Sequence, residues 1–181
     1  MTENKQTQLK YLSWFIGFFC LIELVNLISG RLLNQFSILP RDLSSLAFIL
    51  SAPFLHANLH HFLSNIITLA VFAVLLLQYG NKHFIKVSIL LILSTGILVW
   101  LFGRQAYHLG ASGLVYGYFA YLVLAGWMQK RILLMIISVG VAFLYGGIIW
   151  GVLPSRPYIS WESHLFGFIS GLALAWLHRV K

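Results

Sequence analysis

Long apolar runs separated by short polar segments set the pattern of this chain. They fall at about residues 11–29, 54–79, 84–102, 112–128, 132–150 and 161–178. Crossing a hydrocarbon core as a helix takes about 20 mostly apolar residues, and backbone polar groups in lipid must be satisfied within the segment. The pattern therefore predicts six membrane-spanning helices in one all-α bundle. The first run is longer than the hydrophobic region of a secretory signal and no small-residue cleavage pattern follows it, so it reads as a retained helix. The domain plan is a short cytoplasmic segment at 1–10, a six-helix transmembrane domain at 11–178 and a cytoplasmic end at 179–181.

Composition agrees with that plan. Of the 181 residues, 60% are hydrophobic and 9% charged, which excludes an ordinary soluble domain. The net charge of +8 does not mark a nucleic-acid partner, because the basic residues are scattered between apolar runs instead of forming a stripe. Counted at the span ends, they set topology. Lys5, Lys10, Lys82, Lys86, Lys130, Arg131, Arg179 and Lys181 share one side, against Arg31, Arg41, Arg104 and Arg156 on the other. Both termini are thus expected in the cytoplasm of a bacterial inner membrane. The single Cys20 cannot form an internal disulfide and reads as a packing residue. Trp100, Trp127, Trp150, Trp161 and Trp176 lie near span ends, where aromatic rings favour the headgroup level. Residues 30–53 are too long for a turn and too mixed for a span, as suits a loop lying half in the interface on the outer side.

Polar residues inside spans carry a functional hypothesis by default. The second span opens with His56, Asn58, His60, His61 and Asn65. On one helix, His56 and His60 share a face, and His61 and Asn65 another. Three readings fit this patch. The His56/His60 spacing is that of a helical zinc site, but Ala57 stands where the general-base glutamate would be. A structural role, tying loops to helix ends, suits His56 and His60. His61 and Asn65 offer donors aimed at one point, as an oxyanion needs. An aspartyl mechanism requires two carboxylates sharing a proton, and Asp42 is the only aspartate. Glu23, in the first span, has three open readings: paired with a histidine, protonated, or facing a cavity.

Ser112 opens the fourth span after Gly110, which permits a sharp turn. Either it caps the helix or it is a nucleophile. Gly113 and Gly117 on the fourth span, with Gly167 and Gly171 on the sixth, form small-xxx-small patterns that bring helix backbones close. Such packing carries Ser112 towards His164. Histidine is the side chain suited to take a serine proton near neutral pH. Glu162 would point to another face, so a Ser112–His164 dyad is expected, with the Tyr116 ring packed on the imidazole in place of an orienting carboxylate.

Gly110-Ala111-Ser112-Gly113 in a fourth span, His164 with Gly167 and Gly171 in a sixth, and His61 with Asn65 in a second resemble the rhomboid family. The resemblance runs from about His56 to Gly171. It implies a minimal six-helix, rhomboid-like bundle and an intramembrane serine protease that cleaves transmembrane helices of other proteins without metal or cofactor. Ser112 would be the nucleophile, His164 the base, His61, Asn65 and the Ser112 N–H the oxyanion hole, and Tyr116 the ring on the histidine. The site would open to the outer side. The tryptophan-arginine pair that many rhomboids carry before the second span is missing, with Ala47-Phe48 near that place. The large cytoplasmic domain of some bacterial members is missing too. Both catalytic positions are filled, unlike those of inactive relatives. The rival from another class is a non-catalytic transporter or client-helix binder using the same polar cavity. Oligomeric state is not encoded in any of these features.

Overall fold

The computed structural model describes residues 5–154 and 159–178. Arg156, Arg179 and Lys181, which enter the charge count above, lie outside the described residues, as does the end at 179–181. Among the described residues there are six α-helices: α1 (Lys5–Ile28), α2 (Leu59–Leu76), α3 (Asn81–Phe102), α4 (Ser112–Gln129), α5 (Ile132–Tyr145) and α6 (Trp161–Leu177). Among the described residues the one β feature is an isolated bridge between Ile38 and His108. Four stretches of the described residues are long and apolar enough to cross a membrane: Lys5–Ile28, Leu59–Tyr79, Asn81–Phe102 and Ile132–Val152. The helices α4 and α6, of 18 and 17 residues, are not among those four.

Helix α4 occupies the centre, packed against α2, α3, α5 and α6, with α1 lying on α2. It is buried from Ser112 through Leu122, and its fully buried Tyr118 and Tyr121 hydroxyls meet Ser88 Oγ and His83 Nε2 of α3. The four glycines explain how α6 comes so near. A Cβ on Gly167 would strike the Gly113 carbonyl oxygen, and one on Gly171 would strike that of Gly117. Only hydrogen atoms fit between these backbones. The outer surface is apolar: Ile132, Phe143 and Leu144 on α5 and Trp14 and Ile28 on α1 are exposed, an exterior suited to lipid and unsuited to water.

Three expectations change at the helix ends. Helix α1 already includes Lys5 to Lys10, ahead of the apolar run, where Lys, Gln and Leu are good helix formers. Helix α2 starts at Leu59, not at 54: Asn58 caps it, its side chain accepting from His61 N at 2.8 Å. His56 therefore lies in the loop and shares no helix face with His60. The fifth run is α-helical only to Tyr145 and continues as a 3-10 helix over Gly146–Val152. Cys20 is exposed on α1 and is not a core packing residue. The Trp100 indole donates to the Asp42 carbonyl oxygen at 2.9 Å, a structural role its position at a span end did not suggest.

The segment before α2 folds as three short 3-10 helices, Leu32–Phe36, Leu43–Ile49 and Ala52–Phe54. It is fastened to the end of α3. Arg41, in the left-handed region at φ 63°, donates to the carbonyl oxygens of Leu101 at 3.2 Å and Gly103 at 2.8 Å. Those carbonyls belong to a helix C-terminus, where a cation is favoured. Gln105 donates to Pro40 O, and Ile38, Ile49, Ala52 and Val99 form a small second core. Arg41, Trp100 and Gln105 thus shape a first loop that has no tryptophan-arginine pair.

Candidate active site

A cavity of about 700 Å³ opens among the ends of α2, α4 and α6. Ser112, His164, His61, Asn65 and Tyr116 all line it, together with His60, Arg104 and Ser160. Ser112 is the first residue of α4, and Ala111, with no side-chain cap bond, holds the cap position. The capping alternative for Ser112 is therefore set aside. Its hydroxyl is not spent on the helix end, and its backbone N–H belongs to the electropositive first turn.

The turn before Ser112 is held from two sides. Gly110 has φ +116°, and a Cβ there would come within 2.7 Å of the His61 imidazole. Only glycine satisfies both demands. Gly110 N donates to Ala52 O at 2.9 Å, and Ala111 N donates to His56 Nε2 at 3.3 Å. His61 reaches the turn from the first helical turn of α2. One turn further on, Asn65 Nδ2 donates to the His61 carbonyl oxygen at 3.0 Å, so its second amide hydrogen is not spent on that bond.

His164 lies near the start of α6, and the Tyr116 ring stacks on it with centroids 4.2 Å apart and planes 6° from parallel. His164 Nδ1 lies 2.8 Å from the Gly151 carbonyl oxygen. A carbonyl only accepts, so Nδ1 carries the proton and a neutral ring keeps its lone pair on Nε2. Gly151 was not singled out by the sequence. A Cβ there would strike the Tyr116 hydroxyl, so the position needs glycine for space. The one available signal is the glycine cluster Gly146, Gly147, Gly151 at the end of the fifth run.

Glu162 is absent from the cavity lining and makes no hydrogen bond to His164, whose Nδ1 is engaged by Gly151. It is buried, with Arg104 Nε 3.4 Å from its Oε1. Arg104 also donates to Ile159 O at 2.6 Å, and His108 Nδ1 meets Ser160 Oγ at 2.6 Å. These contacts tie the α3–α4 connection to the start of α6. Burial lowers the pKa of His108, which lies outside the spanning helices. His60, on the exposed side of α2, faces the cavity mouth.

Apolar surface around a core crossed by polar contacts defines an integral membrane protein of the helical class. The family follows from comparison: residues 44–181 match the Rhomboid domain, and the chain belongs to the rhomboid family. An uncharacterized protein of Mycobacterium tuberculosis is 33% identical over 172 residues, covering 90% of this chain and 72% of that protein. An uncharacterized protein of Mycobacterium leprae is 34% identical over 172 residues, covering 90% and 68%.

Proposed function

We propose that this protein is an intramembrane serine endopeptidase in which Ser112 and His164 act as a dyad on transmembrane helices of other membrane proteins. The observation that carries the reading is the fixed state of His164. Gly151 O accepts a hydrogen bond from the protonated Nδ1, Tyr116 sets the ring plane, and Nε2 is left as a base in a cavity shared with Ser112. The Gly151 carbonyl does what a carboxylate does in a triad.

The Ser112 hydroxyl oxygen attacks the scissile carbonyl carbon as His164 Nε2 takes its proton. The oxyanion is stabilised by the Ser112 N–H, the second Asn65 amide hydrogen and His61. The histidine then protonates the leaving amine, and water cleaves the acyl-enzyme by the same route in reverse. The substrate helix must unwind locally, because an intact helix buries its carbonyls in hydrogen bonds. No metal or cofactor takes part in this scheme.

The reading includes a topology. All six helices cross a bacterial inner membrane, the termini are cytoplasmic, and the cavity opens on the outer side. The short α4 and α6 fit because the helices around α4 shield it, while the excess of lysine and arginine sets direction.

The test is reconstitution in liposomes with a transmembrane substrate. Wild type is expected to cleave, with Ser112→Ala and His164→Ala reduced to background and a chelator without effect. Equal cleavage by all three, or loss with chelator alone, would refute the serine mechanism. A function that survives Ser112→Ala would mark a non-catalytic transporter or client-helix binder.

A further inference from the structure

A second polar cluster joins α1 to the turn before Ser112. Glu23 is 3% exposed and His56 0%. Arg31 Nη1 donates to Glu23 Oε1 at 2.6 Å and to the His56 carbonyl oxygen at 3.2 Å. Asn34 Nδ2 donates to the same carbonyl at 3.2 Å, and its own Oδ1 accepts from Asn26 at 2.9 Å. His56 is thus clamped at its backbone while its ring reaches across to Ala111.

The direction of that last bond decides the protonation of the ring. An amide N–H only donates, so His56 Nε2 is the acceptor and, in a neutral ring, Nδ1 carries the hydrogen. Nδ1 faces Glu23 Oε2 at 3.8 Å. Both atoms are buried, and the Phe54 backbone is the other polar group that acts on the imidazole. A carboxylate buried this deeply needs compensation. Arg31 supplies it at Oε1, leaving Oε2 directed at the imidazole.

We propose that Glu23 and His56 are positioning residues for the Ser112 turn: the α1 carboxylate selects the tautomer whose Nε2 accepts the Ala111 N–H, and so fixes the peptide that precedes the nucleophile. The opposite tautomer would set N–H against N–H and release the Gly110–Ala111 turn. The held amide belongs to the Gly110–Ala111 peptide, one peptide ahead of the Ser112 N–H, so one proton on His56 bears on the setting of an oxyanion donor. Burial, then the charges of His61 and Arg31, lower the His56 pKa to about 3, which keeps the ring neutral under ordinary conditions. Glu23 and Arg31 both precede the matched region 44–181.

The catalytic consequence rests on the protease reading, whereas the tautomer and the turn do not. The experiment uses the full chain in nanodiscs with ¹⁵N-labelled histidine, comparing wild type, Glu23→Gln, His56→Ala and the double variant. Wild-type His56 should show one tautomer, protonated at Nδ1, and Glu23→Gln should populate the other. Fluorophosphonate labelling of Ser112 should slow about tenfold in each single variant, the effect of one well-placed hydrogen bond. Cleavage should lose kcat while KM holds. The double variant should label no more slowly than His56→Ala alone, because the two residues act in series. An unchanged tautomer and labelling rate in Glu23→Gln would overturn the proposal, as would multiplied losses in the double variant.

If wild type neither cleaves nor labels, the protease reading fails. Exchange of the Ala111 amide then decides the positioning: faster exchange in both single variants supports it, and unchanged exchange overturns it. If His56→Ala does not fold, Glu23→Gln carries the test, since it removes charge while keeping volume.

Discussion

At His56 the chemistry turns on one proton. Its pKa, lowered to about 3 by burial and by His61 and Arg31, places the folded value below the ordinary histidine value of about 6.5. Between these values the unfolded chain binds a proton that the folded chain excludes, so this group's stabilising contribution is present above about pH 6.5 and is lost as pH falls towards 3. Glu23, Arg31 and His61 are the charged or titratable groups facing it. An NMR titration should therefore find His56 neutral at pH 5, and a midpoint near 6.5 would contradict the burial. Gly151 makes a second prediction. Gly151→Ala would drive a methyl group into the Tyr116 hydroxyl, and we expect Ser112 labelling to fall more than about tenfold through loss of the His164 geometry. Tyr116→Phe, which keeps the stacked ring, should lose far less. The sequence made Ser112, His164, His61 and Asn65 legible because each is a polar residue in an apolar run, where its presence needs a reason. Gly151 and Glu23 were opaque for the opposite cause. Gly151 acts through a carbonyl that every residue has, and Glu23 acts through His56, 33 positions away in a loop that the apolar pattern had merged with α2.

Among the elements, α4 and α6 were the most readable pair, because glycines four apart on both helices have one plain physical use. Gly167 and Gly171 leave no room for a methyl group against α4, whereas a Cβ on Gly17 of α1 or Gly140 of α5 would meet nothing within 4 Å. Gly167→Ala and Gly171→Ala should each cost about 1–3 kcal/mol, the usual penalty of overpacking. Gly17→Ala and Gly140→Ala should be neutral or stabilising by up to about 1 kcal/mol through helix propensity. Thermal unfolding in a mild detergent would separate the two groups, and equal shifts in all four would disprove the close approach. The start of α2 was misread for a reason of the same scale. Hydropathy carried the run back to Phe54, but Asn58 capping the His61 N–H stops the helix at Leu59. That stop frees His56 to reach Ala111.

For the whole molecule, the all-helical build and the apolar exterior followed from the sequence, while the first loop did not. Its shape depends on long-range bonds from Arg41, Trp100 and Gln105, which no local pattern announces. Arg41→Ala should lower stability by about 1 kcal/mol through loss of bonds to helix-terminal carbonyls. Ser112 labelling should stay within about twofold of wild type in the folded fraction, because these contacts lie on the α3 side of the loop. A large loss of labelling at unchanged thermal stability would show instead that the loop is coupled to the cavity.

The outward face of α1 also holds the chain's single cysteine, exposed three residues before Glu23. Its thiol is a native depth gauge. With α1 spanning a bilayer, a lipid-soluble maleimide should modify Cys20 while a charged one leaves it untouched. A fluorophore placed there and quenched by lipid-borne nitroxides at graded depths would measure how far below the headgroups the Glu23 level sits, without altering a residue of the sequence.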